Sequence, residues 1–262
     1  MTLCRISTLA ASAAGLLLAG CQGGNKEEAA APAAPVAEAA AAPAEASGEP
    51  GGIKVTVAFE GAAPAAKPLD RKADPYCAKT KKMDPSVEVA GGKLKNVVVR
   101  ITSKVKVDAE VPADPIVVSQ NECMYEPRVS TAVTGQQIQI ANHDKTLHNV
   151  HAYRGENKEN WFNSAQPPKA PVLTKDLEDG LVQLKCDVHP WMSSFVSVAP
   201  HPFNTLVGDD GTVTWEKVPS KSKPYKIEAW HEVFGKQEAE VVVEAGKVAE
   251  VTLTFKADAA AN

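Results

Sequence analysis

Two stretches of this sequence gather side chains that bind transition metals. The first is Asn142-His143-Asp144-Lys145-Thr146-Leu147-His148-Asn149-Val150-His151, with three imidazoles. The second is Cys186-Asp187-Val188-His189-Pro190-Trp191-Met192, with a thiol, an imidazole and a thioether. In the second the spacing is Cys, two residues, His, two residues, Met. A short loop that folds back on itself can aim all three side chains at one centre. Two imidazoles and a thiolate in a trigonal plane, with a weak axial thioether, suit both copper(I) and copper(II). The thiolate gives an electron a covalent path, and the imidazoles support the oxidised ion. A geometry imposed by the protein, changing little between oxidation states, keeps reorganisation small. The remaining candidates have plainer readings. Met192 has core packing as its alternative. His151 is expected on the far side of a strand and His143 at the surface. His201 and His231 are expected to be structural or exposed. Trp191 and Pro190 form either an apolar rim around His189, where a partner docks, or simple packing.

Such side chains need rigid elements to aim them. From residue 51 onward the pattern is one of strands. Ile53 to Phe59 alternates apolar and polar, Val97 to Ile101 is a short β-branched run, and Gln136 to Ile140 alternates again. Leu181 to Leu184 and Phe195 to Val198 bracket the Cys186 loop. Further runs follow at Gly211 to Trp215, Tyr225 to Trp230, Glu240 to Val243 and Glu250 to Phe255, with Gly, Pro, Asp and Asn between them. Many short strands and no long amphipathic helix predict an all-β sandwich. Residues 155–180 lack a clean period and read as a long loop or a helical turn.

With both segments in view, the sequence resembles the cupredoxins, the amicyanin- and plastocyanin-like blue copper proteins, over about residues 93–200. Two features carry the resemblance. One is the short Cys186-x-x-His189-x-x-Met192 loop with Pro190 directly after the His. The other is His148-Asn149-Val150-His151 following an Asn-containing strand end. The resemblance implies a Greek-key β-sandwich holding one type 1 copper ion. It makes His148 the first imidazole ligand, Cys186 the thiolate, His189 the second imidazole and Met192 the axial ligand. Asn149 would tie the two ligand loops together near the sulfur, where such contacts orient ligands and tune potential. After residue 200, Asp210-Gly211, Val218-Pro219 and Tyr225 to Glu232 resemble the non-catalytic carboxypeptidase regulatory-like module. This part is expected as a C-terminal β-rich extension or a small second sandwich, and strand 53–59 can join either body.

The N-terminal part points to export. Arg5 is the only charge in the first twenty residues, and Ile6 to Ala19 is apolar or small but too short for a confident membrane span. It ends in Leu18-Ala19-Gly20-Cys21, which resembles the lipobox of bacterial lipoproteins. That implies lipid on Cys21, and Gln22 in the next position implies the outer membrane, on its periplasmic side. Residues 22–50, rich in Ala, Pro, Glu and Gly, carry too little apolar surface to offset ordering entropy and read as a tether. The expected organisation is therefore signal 1–20, lipidated Cys and linker 21–50, copper domain 51–200 and extension 201–257. Five Cys are present. Cys4 leaves with the signal and Cys21 takes lipid. Beside Cys186 that leaves Cys77 and Cys123, for which a disulfide is the default in an exported protein.

Loss of Arg5 with the signal takes the 28 basic side chains to 27, against 32 acidic ones, a net charge of −5. This mild balance gives no sign of nucleic-acid binding and favours a protein partner. The leading expectation is a lipid-anchored carrier of single electrons that meets a redox partner protein. The alternatives are a copper-delivery lipoprotein with the same ligands and a non-catalytic β-sandwich interaction protein. An enzyme is not expected. Six His are too few for a type 1 site plus a trinuclear copper cluster, and one Cys in the ligand loop is too few for a binuclear centre. No Ser-His-Asp arrangement, phosphate loop or paired-carboxylate motif stands out.

Overall fold

Alternation along Gly51–Glu60 turns Ile53, Val55 and Val57 to one side, where all three are buried. The computed structural model describes residues 49–258. The expected signal, Cys21 and nearly all of the linker lie outside the described residues. Among those described, no helix is long and apolar enough to cross a membrane. The architecture is all-β, as expected, and is built from two sandwiches.

In the first sandwich, Gly51–Glu60 lies between Thr212–Val218, antiparallel, and Val248–Lys256, parallel. A facing sheet runs in the order Asn204–Leu206, Val98–Ile101, Lys221–His231, Gly235–Val243. The two close on a core that includes Ile53, Val55, Ile101, Trp215, Ile227 and Phe255. In the second sandwich one sheet runs Glu159–Gln166, His148–Arg154, Gly180–Lys185, Ser193–Ala199, Val129–Val133. The other runs Leu173–Asp176, Gln137–Asn142, Ile116–Asn121, Met124–Glu126. Val118, Ile138, Ile140, Val150, Leu184 and Val196 fill the space between them. Each large aliphatic side chain buried there contributes about 1.5–3 kcal/mol relative to exposure.

The expected boundaries at 51–200 and 201–257 do not follow these sheets. The segments of His148 and Cys186 sit in a sandwich that starts at Ile116 and is inserted between Val98–Ile101 and Asn204–Leu206 of the other. Alternation at Ile53, Val55 and Val57 specifies an inward face but not a partner strand. The parallel partner, Val248–Lys256, lies nearly two hundred residues away. Residues 155–180 also differ from expectation: they hold strands Glu159–Gln166 and Leu173–Asp176. Both flank their sheets as edge strands and are largely exposed, so neither face is uniformly apolar and no period shows. Phe195 and Trp230 join the sandwiches, with ring centroids 5.2 Å apart. Beside them Arg128 donates to both carboxylate oxygens of Glu232 at 2.7 and 2.5 Å.

Candidate metal centre

The seven residues Cys186 to Met192 connect two antiparallel neighbours, Gly180–Lys185 and Ser193–Ala199. The Cys186 amide donates to the Met192 carbonyl at 3.3 Å, and the Met192 amide donates to the His189 carbonyl at 2.9 Å. The loop therefore closes on itself, and Cys186 Sγ comes within 3.8 Å of His189 Nδ1. His148 opens its strand at the same end of the sandwich. It is delivered by a turn built on Asn142, whose Oδ1 accepts from the Asp144 amide at 2.8 Å. Asn142 Nδ2 donates to the carbonyls of Thr146 and Gln166 at 3.0 and 2.8 Å. His148 Nδ1 then faces His189 Nδ1 at 2.9 Å. One donor atom each from His148, Cys186 and His189 lie within 4.8 Å of one another, and all three residues are buried.

The far nitrogens of both rings have carboxylate partners. His148 Nε2 is 2.8 Å from Asp144 Oδ2, and His189 Nε2 is 3.0 Å from Asp74 Oδ2. To serve as a metal ligand each Nδ1 must give up the proton through which it faces the Cys186 sulfur, and an Nε2–H held by a carboxylate keeps the ring's other nitrogen as the protonated one. Burial raises the Cys186 thiol pKa, but hydrogen bonds from His148, His189 and the Asn149 amide outweigh it and bring the thiol down to about 6. The shift favours the thiolate, the form that binds metals. Burial lowers the pKa of His148, and its bonds to Asp144 and Cys186 raise it more. Burial also opposes ionisation of Asp74. Hydrogen bonds from Thr146, the Tyr76 amide, His189 and the Cys77 amide outweigh that and hold its carboxyl at about 2.

The other expected residues fall as follows. Met192 is fully buried in the same apolar cluster as Cys186 and closes the Cys186 to Met192 loop. Asn149 bridges to that loop. Its Oδ1 accepts from the Asp187 amide at 2.7 Å, and its Nδ2 donates to Asp187 Oδ2 at 2.8 Å. His151 points away from the centre and bonds Asp187 Oδ2 at 3.0 Å, and His143 is exposed. His201 and His231 are buried outside the site, in or beside the other sandwich. Trp191 packs against His189 at 5.0 Å between ring centroids and donates to the Cys123 carbonyl at 2.9 Å. Cys77 and Cys123 form a disulfide with Cα atoms 5.7 Å apart.

Asp74 and Asp144 carry no role in the sequence reading, although Asp144 lies in the first of the two segments on which that reading rests. For Asp144 a signal exists, a carboxylate four residues before a candidate His. For Asp74 there is none, because its partner His189 is 115 residues away.

No protein-family model matches the chain, and no curated protein does. Among solved structures it is similar to a purple cupredoxin from Nitrosopumilus maritimus, at 20% identity over 32% of this chain and 98% of that one, with a TM-score of 0.28. Amicyanin from Paracoccus versutus is 25% identical over 38% of this chain and 96% of its own, with a TM-score of 0.29. A copper-containing nitrite reductase from Thermus scotoductus is 17% identical over 37% of this chain and 25% of its own, with a TM-score of 0.30.

Proposed function

We propose that this protein carries single electrons at one type 1 copper centre. The observation that carries the reading is the convergence of the two Nδ1 atoms, 2.9 Å apart, on a buried thiol 3.8 Å from the nearer ring nitrogen. Two imidazoles and a thiolate are the donor set of blue copper sites, and the donors present fit that ion. Copper, when bound, supplies the one-electron exchange. The chain supplies the rest. Cys186 provides the anionic sulfur, and His148 and His189 provide the nitrogens. Met192 would add a weak thioether donor, and Asn149 holds the Cys186 to Met192 loop against the strand of His148. Burial of all three ligands keeps water from them and supports retention of the metal over delivery of it to another protein. The reading includes lipid on Cys21, which places the centre on the periplasmic side of the bacterial outer membrane. There it would meet a redox partner protein. The test is copper content combined with voltammetry. The proposal expects one copper per chain and a reversible one-electron wave that survives repeated cycling without loss of metal. Loss of the copper to a mild chelator within a few cycles would favour the delivery reading instead.

A further inference from the structure

Behind each imidazole stands a carboxylate, and one covalent frame holds both carboxylates. Asp74 Oδ1 accepts from the Tyr76 and Cys77 amides at 2.7 and 3.3 Å. Asp144 Oδ2 accepts from the Cys123 amide at 2.8 Å. Cys77 and Cys123 are the two halves of the disulfide. Each carboxylate that faces a candidate ligand is thus hydrogen-bonded by the backbone of one half-cystine.

Cross-bonds tie the two sides together. Thr146, in the turn before His148, donates to Asp74 Oδ2 at 2.7 Å. Tyr76, in the segment that carries Asp74, donates through its hydroxyl to Asp144 Oδ1 at 3.3 Å. Arg71 fastens the same segment to the Glu122 carbonyl and to the Thr80 carbonyl at 3.0 Å. The hairpin that presents Cys123 turns through Glu122 and Cys123, with φ of 49° and 56°. Two left-handed positions suit a tight hairpin, but each is unfavourable for a residue with a side chain. The disulfide and the bonds to Asp144 and Arg71 offset that cost and hold the turn.

We propose that Asp74 and Asp144 are positioning residues of the metal centre, a disulfide-framed pair that holds both imidazoles with Nε2–H outward and Nδ1 inward. This rests on the reading of His148 and His189 as ligands. The consequence is steric as well as electronic. His189 is 1% exposed, so its outer edge meets Asp74, and Cys77 Sγ at 3.6 Å, instead of water. The ring has no open side to swing toward. A hydrogen-bonded carboxylate also makes an imidazole a stronger donor, which favours the more highly charged ion. Copper(II) gains more from this than copper(I).

The test uses the full-length protein and the variants Asp74→Asn, Asp144→Asn, Asp74→Ala and Asp144→Ala, with thermal melting to confirm that each folds. The diamagnetic zinc(II)-loaded form is read by nitrogen-15 NMR. The proposal expects Nε2–H protons on both rings, slow to exchange with solvent, and loss of that protection at His189 in Asp74→Ala and at His148 in Asp144→Ala. In the copper-loaded form, each Asn variant should weaken copper(II) binding on the order of tenfold and copper(I) binding by less, so the reduction potential rises. Unprotected Nε2 protons in the native protein would overturn the proposal. So would unchanged copper(II) affinity and potential in both Asn variants. If the native protein binds zinc(II) with protected rings but gives no redox-active copper centre, the positioning role stands and the electron-carrier reading fails.

Discussion

The Nδ1 atoms of His148 and His189 face each other at 2.9 Å, although 41 residues separate them. Neither ring can turn freely, because each Nε2 is held by a carboxylate. On the copper reading, rings fixed from both sides would take up the ion without rearrangement of the loops, which for an electron carrier would mean little reorganisation on each transfer.

Met192 sets the potential in this account. Met192→Gln places a harder oxygen donor on the axis, which favours copper(II). The potential should fall while copper stays bound. Voltammetry of the two proteins, with copper measured before and after, checks this. An unchanged potential would remove Met192 from the ligand set.

Asn149 joins the strand of His148 to the Cys186 loop by bonding both the amide and the carboxylate of Asp187. Asn149→Ala leaves the Asp187 amide without that partner. Because Asp187 is exposed and water can take the lost place, the expected loss of stability is about 1 kcal/mol, read by denaturant unfolding, together with a shifted visible band in the copper form. An unshifted band would make Asn149 a merely structural tie.

His231 predicts an acid sensitivity that does not involve the metal. It is fully buried in the other sandwich, and its Nδ1 accepts from the Val233 amide at 3.1 Å. Desolvation, helped by the charge of Arg128, lowers its pKa from 6.5 to about 4. Above pH 6.5 both folded and unfolded states hold it neutral, and it adds no pH dependence. Between about 6.5 and 4 the unfolded chain takes up a proton that the folded one refuses, so stability falls as pH falls. The total is about 3 kcal/mol and levels off below about pH 4. Urea unfolding of the metal-free protein from pH 7 to 4 should show this slope, and His231→Asn should flatten it. An identical slope in the variant would place the sensitivity elsewhere.

Much of this was legible in the sequence and some of it could not be. Cys186, His189 and Met192 share one loop, so their spacing alone suggests a common centre. Strands such as Gly180–Lys185 and Ser193–Ala199 are legible because their inward residues are apolar. The pairing of Gly51–Glu60 with Val248–Lys256 was not legible, because alternation gives a face and no partner. Nor was the Asp74–His189 contact. Asp74 sits in an irregular segment whose position depends on a disulfide to a hairpin 46 residues on. Charged residues in irregular segments read as solvated surface until the tertiary contact is known.

The anchor is tested by Cys21→Ala. With lipid on Cys21, the native protein should fractionate with membranes and the variant should become soluble. Stable anchoring needs more than one acyl chain, which the bacterial lipoprotein pattern provides. A variant that stays in the membrane fraction would contradict the lipidation reading and assign Leu16 to Ala19 to a retained span.

The central claim, a thiolate and two imidazoles on one copper ion, is tested most directly by the visible absorption of the copper(II)-loaded protein. An intense charge-transfer band from the Cys186 thiolate is expected. Cys186→Ser should abolish it, and His148→Ala and His189→Ala should each bleach it or weaken copper binding by more than about a hundredfold. A fully copper(II)-loaded protein that stays colourless under oxidising conditions, or a band that survives Cys186→Ser, would contradict it.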